Sequence, residues 1–181
     1  GENPRHAYLQ KLLVDSYRLR GDSETVLQIL SRQHRQKPLQ DPDMITELCR
    51  LQISHGDGAA AEALLHKQLT RQWRTEWVSL YGQAQGHDGV KQLQAAEKWL
   101  RDHPEDPALI LALAHICQRN RLWAKARDYY ENYLQKQKDE SAARELVQLL
   151  QSLGEQEKAR HWLQKIAAHH MDALPLPSTS P

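Results

Sequence analysis

The sequence predicts an all-α protein, a right-handed superhelical solenoid of about five helix hairpins, and three observations predict it. Ala, Leu, Gln, Arg, Lys and Glu dominate the chain, Phe is absent, and Gly and Pro number only 8 each, a usage that favours helix. A slot for a small side chain recurs as Val26, Ala61, Ala96, Ala126 and Ala159, in steps of 35, 35, 30 and 33 residues. A turn signal precedes each slot, and a period of this size marks a repeat architecture.

The repeats are placed at residues 7–40, 42–74, 75–106, 107–139 and 140–173. In the first, Gly21 with Asp22 marks the turn, and Val26, Leu27 and Leu30 follow at helical spacing. In the second, Gly56 with Asp57 leads into Ala61, Leu64 and Leu65. The third is the least regular: its turn reads Gly86-His87-Asp88-Gly89, its second helix carries Ala96, Trp99 and Leu100, and Pro104 ends it. The fourth has Ile110, Leu113, Ala114 and Cys117 on its first helix, and Ala126, Tyr130 and Tyr133 on its second. That is the spacing of the tetratricopeptide pattern, with Asn120 and Arg121 in the turn. The fifth turns at Gly154 with Glu155 and continues through Ala159, Leu163 and Ile166. Residues 174–181, LPLPSTSP, lack periodicity and read as a disordered tail.

Small residues suit the slot because they let two helix backbones approach closely. Trp77, Trp99, Trp123, Tyr130 and Trp162 are then expected to fill the spaces between pairs. No single hairpin can bury its apolar stripe, whereas stacked neighbours can. Lys plus Arg number 24 against 23 for Asp plus Glu, so the chain lacks the basic excess of a protein that neutralises many phosphates, and nucleic acid is not an expected partner. Cys49 and Cys117 lie in apolar helical patterns and read as buried thiols. The longest apolar run, Ala108 to Ala114, is far short of the ~20 residues that span a bilayer.

No phosphate loop, dinucleotide fingerprint, nucleophile elbow or H-E-x-x-H is present, so the sequence gives no reason to expect an enzyme. No metal site and no cofactor are expected. Haem is the one alternative, because His115 and the run His169-His170-Met171 contain side chains able to ligate haem iron. The structural reading of these residues is a polar groove position and a last helical turn.

In hairpin arrays of this kind the first helix of each pair lines the concave surface. Projecting its positions gives a partner-binding face of Lys11, Arg18, Arg50, His115, Gln118, Arg119 and Arg144, with Thr46 and Val78 among the other positions. The cations make this face more basic than the whole chain, which predicts an acidic segment as ligand.

The run LLHKQLTRQW at Leu64 to Trp73 and the run AAEKWLRDHPEDPALILALAHICQRNRLWAKARDYYENYL at Ala95 to Leu134 closely resemble the C-terminal half of HemY-type proteins. The opening NPRHAYLQKLLVDSYRLRGD is similar too, so the resemblance covers most of residues 3–166. HemY-type proteins are proteobacterial inner-membrane proteins with two N-terminal membrane helices and a tetratricopeptide region, associated with haem biosynthesis. The resemblance implies a non-catalytic scaffold on the cytoplasmic side of the inner membrane, gathering haem-biosynthesis enzymes; the alternatives are a haem or porphyrin carrier and a tetratricopeptide adaptor of another envelope pathway. Any membrane contact is expected only through an N-terminal anchor upstream of Gly1. A distinct flavoprotein, protoporphyrinogen oxidase, shares the name in other bacteria; its activity requires a dinucleotide fingerprint that this sequence lacks. The join between Ile29 and Pro42 is shorter than is usual in the family, which leaves room for an absent helical pair there.

Overall fold

The computed structural model describes the backbone of residues 4–172 and the side chains of residues 11–168. Among these residues every regular element is a helix: α1 (Pro4–Leu19), α2 (Ser23–Gln36), α3 (Pro42–Ser54), α4 (Gly58–Leu69), α5 (Thr75–Gln83), α6 (Gly89–Trp99), α7 (Pro107–Arg119), α8 (Trp123–Lys136), α9 (Glu140–Ser152) and α10 (Gln156–Asp172). The chain divides into two compact units, residues 1–87 and 88–181, so that α5 belongs to the first and α6 to the second. The division falls in the turn Gly86-His87-Asp88-Gly89.

The starts and stops of the helices have a common chemistry. Aspartates cap six N-termini: Asp22, Asp41, Asp57, Asp88, Asp106 and Asp139 each accept a hydrogen bond from a backbone N–H of the first turn. Pro42 and Pro107 stand at the first helical position, where a missing N–H costs nothing. Four turns within hairpins close alike. In the turn after α3, the Asp57 N–H donates to the Gln52 carbonyl at 2.8 Å and the Gly56 N–H to Ile53 at 3.2 Å, with Gly56 at φ +84°. Gly21 and Gly154 repeat this arrangement. Arg121 makes the same pair of bonds at φ +59°, a left-handed conformation that is costly for a side chain with a Cβ.

The recurring slot is buried at every copy: Val26 and Ala159 are 1% exposed, and Ala61, Ala96 and Ala126 are 0% exposed. In the first unit, Trp77 and Tyr81 of α5 are buried against the α3–α4 pair. The Trp77 indole N–H donates to Thr46 Oγ1 at 2.8 Å, and the Tyr81 hydroxyl donates to Glu62 Oε1 at 3.0 Å. Gly58, at the start of α4, fits because a Cβ there would stand 2.7 Å from the backbone nitrogen of Gln85, in the segment after α5. In the second unit, Leu109, Leu113, Ile116, Tyr130, Leu146 and Leu150 are fully buried and join α7, α8 and α9.

The aromatic expectation holds for Trp77 and Tyr130. It fails for Trp123, which is 40% exposed: it opens α8 immediately beyond the turn, on the rim and not between helices. Trp99 and Trp162 are half-buried. Both cysteines are free and buried, and burial pushes their thiols up, to about 12 for Cys49 and about 11 for Cys117. Only residues 37–41 separate α2 from α3, and these helices pack on each other, so the join holds no further helical pair. The tail at residues 174–181 lies outside the described residues.

Arg121→Gly keeps the turn hydrogen bonds and removes the steric cost of the left-handed conformation. It is expected to stabilise the protein by about 1 kcal/mol in urea unfolding. An unchanged or lower unfolding midpoint would mean that the Arg121 side chain contributes more than its backbone costs.

Candidate functional site

The first helices of the hairpins present two distinct surfaces, one in each unit. In the first unit, α1, α3 and α5 enclose a groove of about 230 Å³. Its floor is Val14 and Thr46, both nearly buried, with half-buried Met44 beside them. Thr46 offers a ligand no free hydroxyl, since its Oγ1 donates to the Pro42 carbonyl at 2.9 Å while accepting from Trp77.

The groove walls are charged. Lys11, Arg18 and Arg50 line it, so the structure brings together the three first-unit cations of the sequence-derived face. Asp15, Asp43, Glu47 and Glu76 line it too. Four carboxylates against three cations make this part of the face mixed in charge and not basic: the projection from helix starts selected Asp15 with the three cations but passed over Asp43, Glu47 and Glu76. The cations are also largely engaged. Arg50 donates to Glu76 Oε1 at 3.0 Å and stands 3.7 Å from Glu47 Oε2. Lys11 Nζ lies 3.8 Å from Asp41 Oδ2 and 3.9 Å from Asp43 Oδ2. Arg18 is exposed and has no partner among the described residues.

In the second unit the sequence-derived residues separate into a network and two exposed cations. His115 of α7 and Glu145 of α9 meet at 2.9 Å through Nε2 and Oε2. The hydroxyl of Tyr130, from α8, is 2.7 Å from the same Glu145 oxygen and 2.7 Å from Gln118 Oε1. Three helices are thus tied by one carboxylate. Since a carboxylate only accepts, Nε2 of His115 carries the proton in this bond and is not offered to an iron or other metal. The His115 ring also packs edge-on against Tyr130, with centroids 5.9 Å apart. His115 and Gln118 are therefore structural members of a packed interface. Arg119 is exposed and within electrostatic reach of the Tyr130 hydroxyl, and Arg144 is held along its own helix by Glu140 at 2.8 Å.

Two further projected positions are corrected. Val78 is 0% exposed and faces the neighbouring helix, and Thr46, at 6%, shows only a sliver of surface at the groove floor. The backbone of His169-His170-Met171 continues α10, and their side chains lie outside the described residues. Among the described residues no three His, Cys, Asp or Glu side chains group as metal ligands, and no helix is long and apolar enough to cross a membrane.

The electrostatics of the network follow from its geometry. The hydrogen bond from His115 holds the Glu145 carboxyl below the usual 4.5, the Tyr130 hydroxyl adds to this, and partial burial opposes both. Burial and the adjacent carboxylate push the Tyr130 phenol well above its ordinary range.

No protein-family model matches the chain, and no curated protein sequence does. Solved structures do match along nearly its full length. The MamA fragment from residue 41 to the end, of Desulfovibrio magneticus RS-1, superposes with a TM-score of 0.65 at 16% identity, covering 93% of this chain and 97% of that one. A thermophilic TPR protein of Thermus thermophilus gives 0.63 at 18% identity, covering 88% and 89%. PilF of Pseudomonas aeruginosa gives 0.60 at 22% identity, covering 91% of this chain and 75% of that one. These likenesses establish the fold: an all-helical solenoid of the tetratricopeptide type.

Because Glu145 is deprotonated more readily in the folded chain, its contribution to stability is present above the ordinary carboxyl value and is lost as pH falls through the lower folded value. The stability difference between the native chain and Glu145→Gln is therefore expected at neutral pH and should shrink below pH 4.5. Urea unfolding across the acid range measures it; a difference that stays constant would contradict the assignment.

Proposed function

We propose that this chain is a non-catalytic scaffold that holds partner proteins of haem biosynthesis at the cytoplasmic side of a bacterial inner membrane. The observation that carries the scaffold reading is the open groove on the first helices of the first unit, with an apolar floor and charged walls at the scale of a partner side chain. A tetratricopeptide-type solenoid supplies long, rigid helix faces of this kind and little enclosed volume, which suits capture more than chemistry.

The haem-biosynthesis assignment rests on the HemY-type resemblance of residues 64–73 and 95–134. The same resemblance supports the inner membrane as location, with the anchor upstream of this segment. A haem-carrying role has less support, because His115 Nε2 is committed to Glu145.

Immobilised chain exposed to an extract of its host cells is expected to enrich tetrapyrrole-pathway enzymes, identified by mass spectrometry. Met44→Arg is expected to reduce that enrichment several-fold, since it fills the apolar part of the groove with a bulky charged side chain. Recovery that the variant leaves unchanged would contradict the groove. Consistent recovery of proteins from another pathway would contradict the haem assignment.

A further inference from the structure

The groove of the first unit contains two carboxylates that the protein serves poorly. The Glu47 side chain is 15% exposed, and its one ion-pair contact among the described residues is Arg50 at 3.7 Å, beyond hydrogen-bond reach. Arg50 gives its hydrogen bond to Glu76 instead. Asp15 is half-buried and has no partner among the described residues. Lys11 of α1 stands 3.9 Å from Asp43 of α3. Asp15 and Glu47, one turn on from Lys11 and Asp43 along their helices, both line this groove. Apolar surface from Val14 and Met44 adjoins them.

Uncompensated charge that is partly removed from water gains most from a partner, whereas an exposed charge gains little. Arg18 is the groove cation without a partner among the described residues, and it is exposed. An incoming carboxylate would find Lys11 and Arg50 already shared between acids, with Arg18 left at the lip. An incoming cation would find two half-buried acceptors without a side-chain hydrogen bond among the described residues. Its alkyl stem would cover the apolar floor while its head met the carboxylates, the arrangement that long basic side chains adopt at mixed surfaces.

We propose that this groove is the docking site for a basic side chain, arginine or lysine, carried on a peptide segment of a partner protein and seated between Asp15 and Glu47. The proposal deepens the scaffold reading and rests on it. It reverses the ligand charge that the sequence-derived face suggests.

Two short fluorescent peptides test it, one alternating alanine with lysine and one alternating alanine with glutamate, their binding to the full chain followed by anisotropy at low salt. The lysine peptide is expected to bind about ten-fold more tightly. Asp15→Asn with Glu47→Gln should abolish that preference while leaving the helical circular dichroism and the melting temperature as they were or higher. Arg18→Gln should leave it intact. A preference for the glutamate peptide would overturn the basic-ligand proposal and keep the groove as a binding site. Equal binding by the Asp15, Glu47 double variant would overturn the seat at these residues. Binding of neither peptide would overturn the proposal and the groove-based scaffold reading together.

Discussion

Close approach of the two helices in a hairpin is the constraint on which the rest depends. It is set at one slot in each of four hairpins, where Val26, Ala61, Ala126 or Ala159 is essentially without solvent contact. Burial of so small a side chain adds little stability by itself. What it does is bring two backbones near enough for their larger neighbours, such as Leu65 or Tyr130, to be enclosed on all sides. With the second helix fixed in this way, the first helix of each pair is left with an outward face. Its inward face carries residues such as Leu48, Cys49, Leu113 and Cys117, all fully or almost fully buried.

The outward faces of the two units differ in how their charges are matched. In the first, Lys11, Asp15, Glu47, Arg50 and Glu76 stand around an open groove, and their charges are incompletely matched. In the second, His115, Tyr130 and Glu145 satisfy one another across three helices. A fully connected polar network of that kind stabilises one helix arrangement and has less to offer a ligand. An incompletely matched one costs some stability and leaves charge available for a partner. This contrast is why we place partner capture in the first unit, although the sequence nominates residues from both.

The fold was legible in the sequence because its determinants are local and repeated: a small residue at a fixed offset, and a turn before it. Arg121 shows how far that reading extends. Its place in the repeat marks it as a turn residue, yet only the backbone reveals that it adopts the conformation glycine holds in the other turns. The aspartate caps could have been read as well, since Asp22, Asp57 and Asp88 immediately precede their helices. The site was less legible. Projection along a helix identifies which face a residue occupies but not what stands across from it, so Arg50 was visible and its bond to Glu76, 26 residues away, was not. Likewise His115 appeared as a possible ligand because its acceptor lies on α9, outside any local pattern.

Ala61→Leu compared with Ala63→Leu gives the most direct test that the small slot holds the architecture, since the two residues share α4 and differ in burial. Urea unfolding of Ala61→Leu should show a loss of about 1–3 kcal/mol from forcing the helices apart, while the exposed Ala63→Leu stays within about 0.5 kcal/mol of the native chain. Equal stability of the two variants would mean that the helices do not depend on close contact at the slot, and the account of the fold and its groove would fail with it.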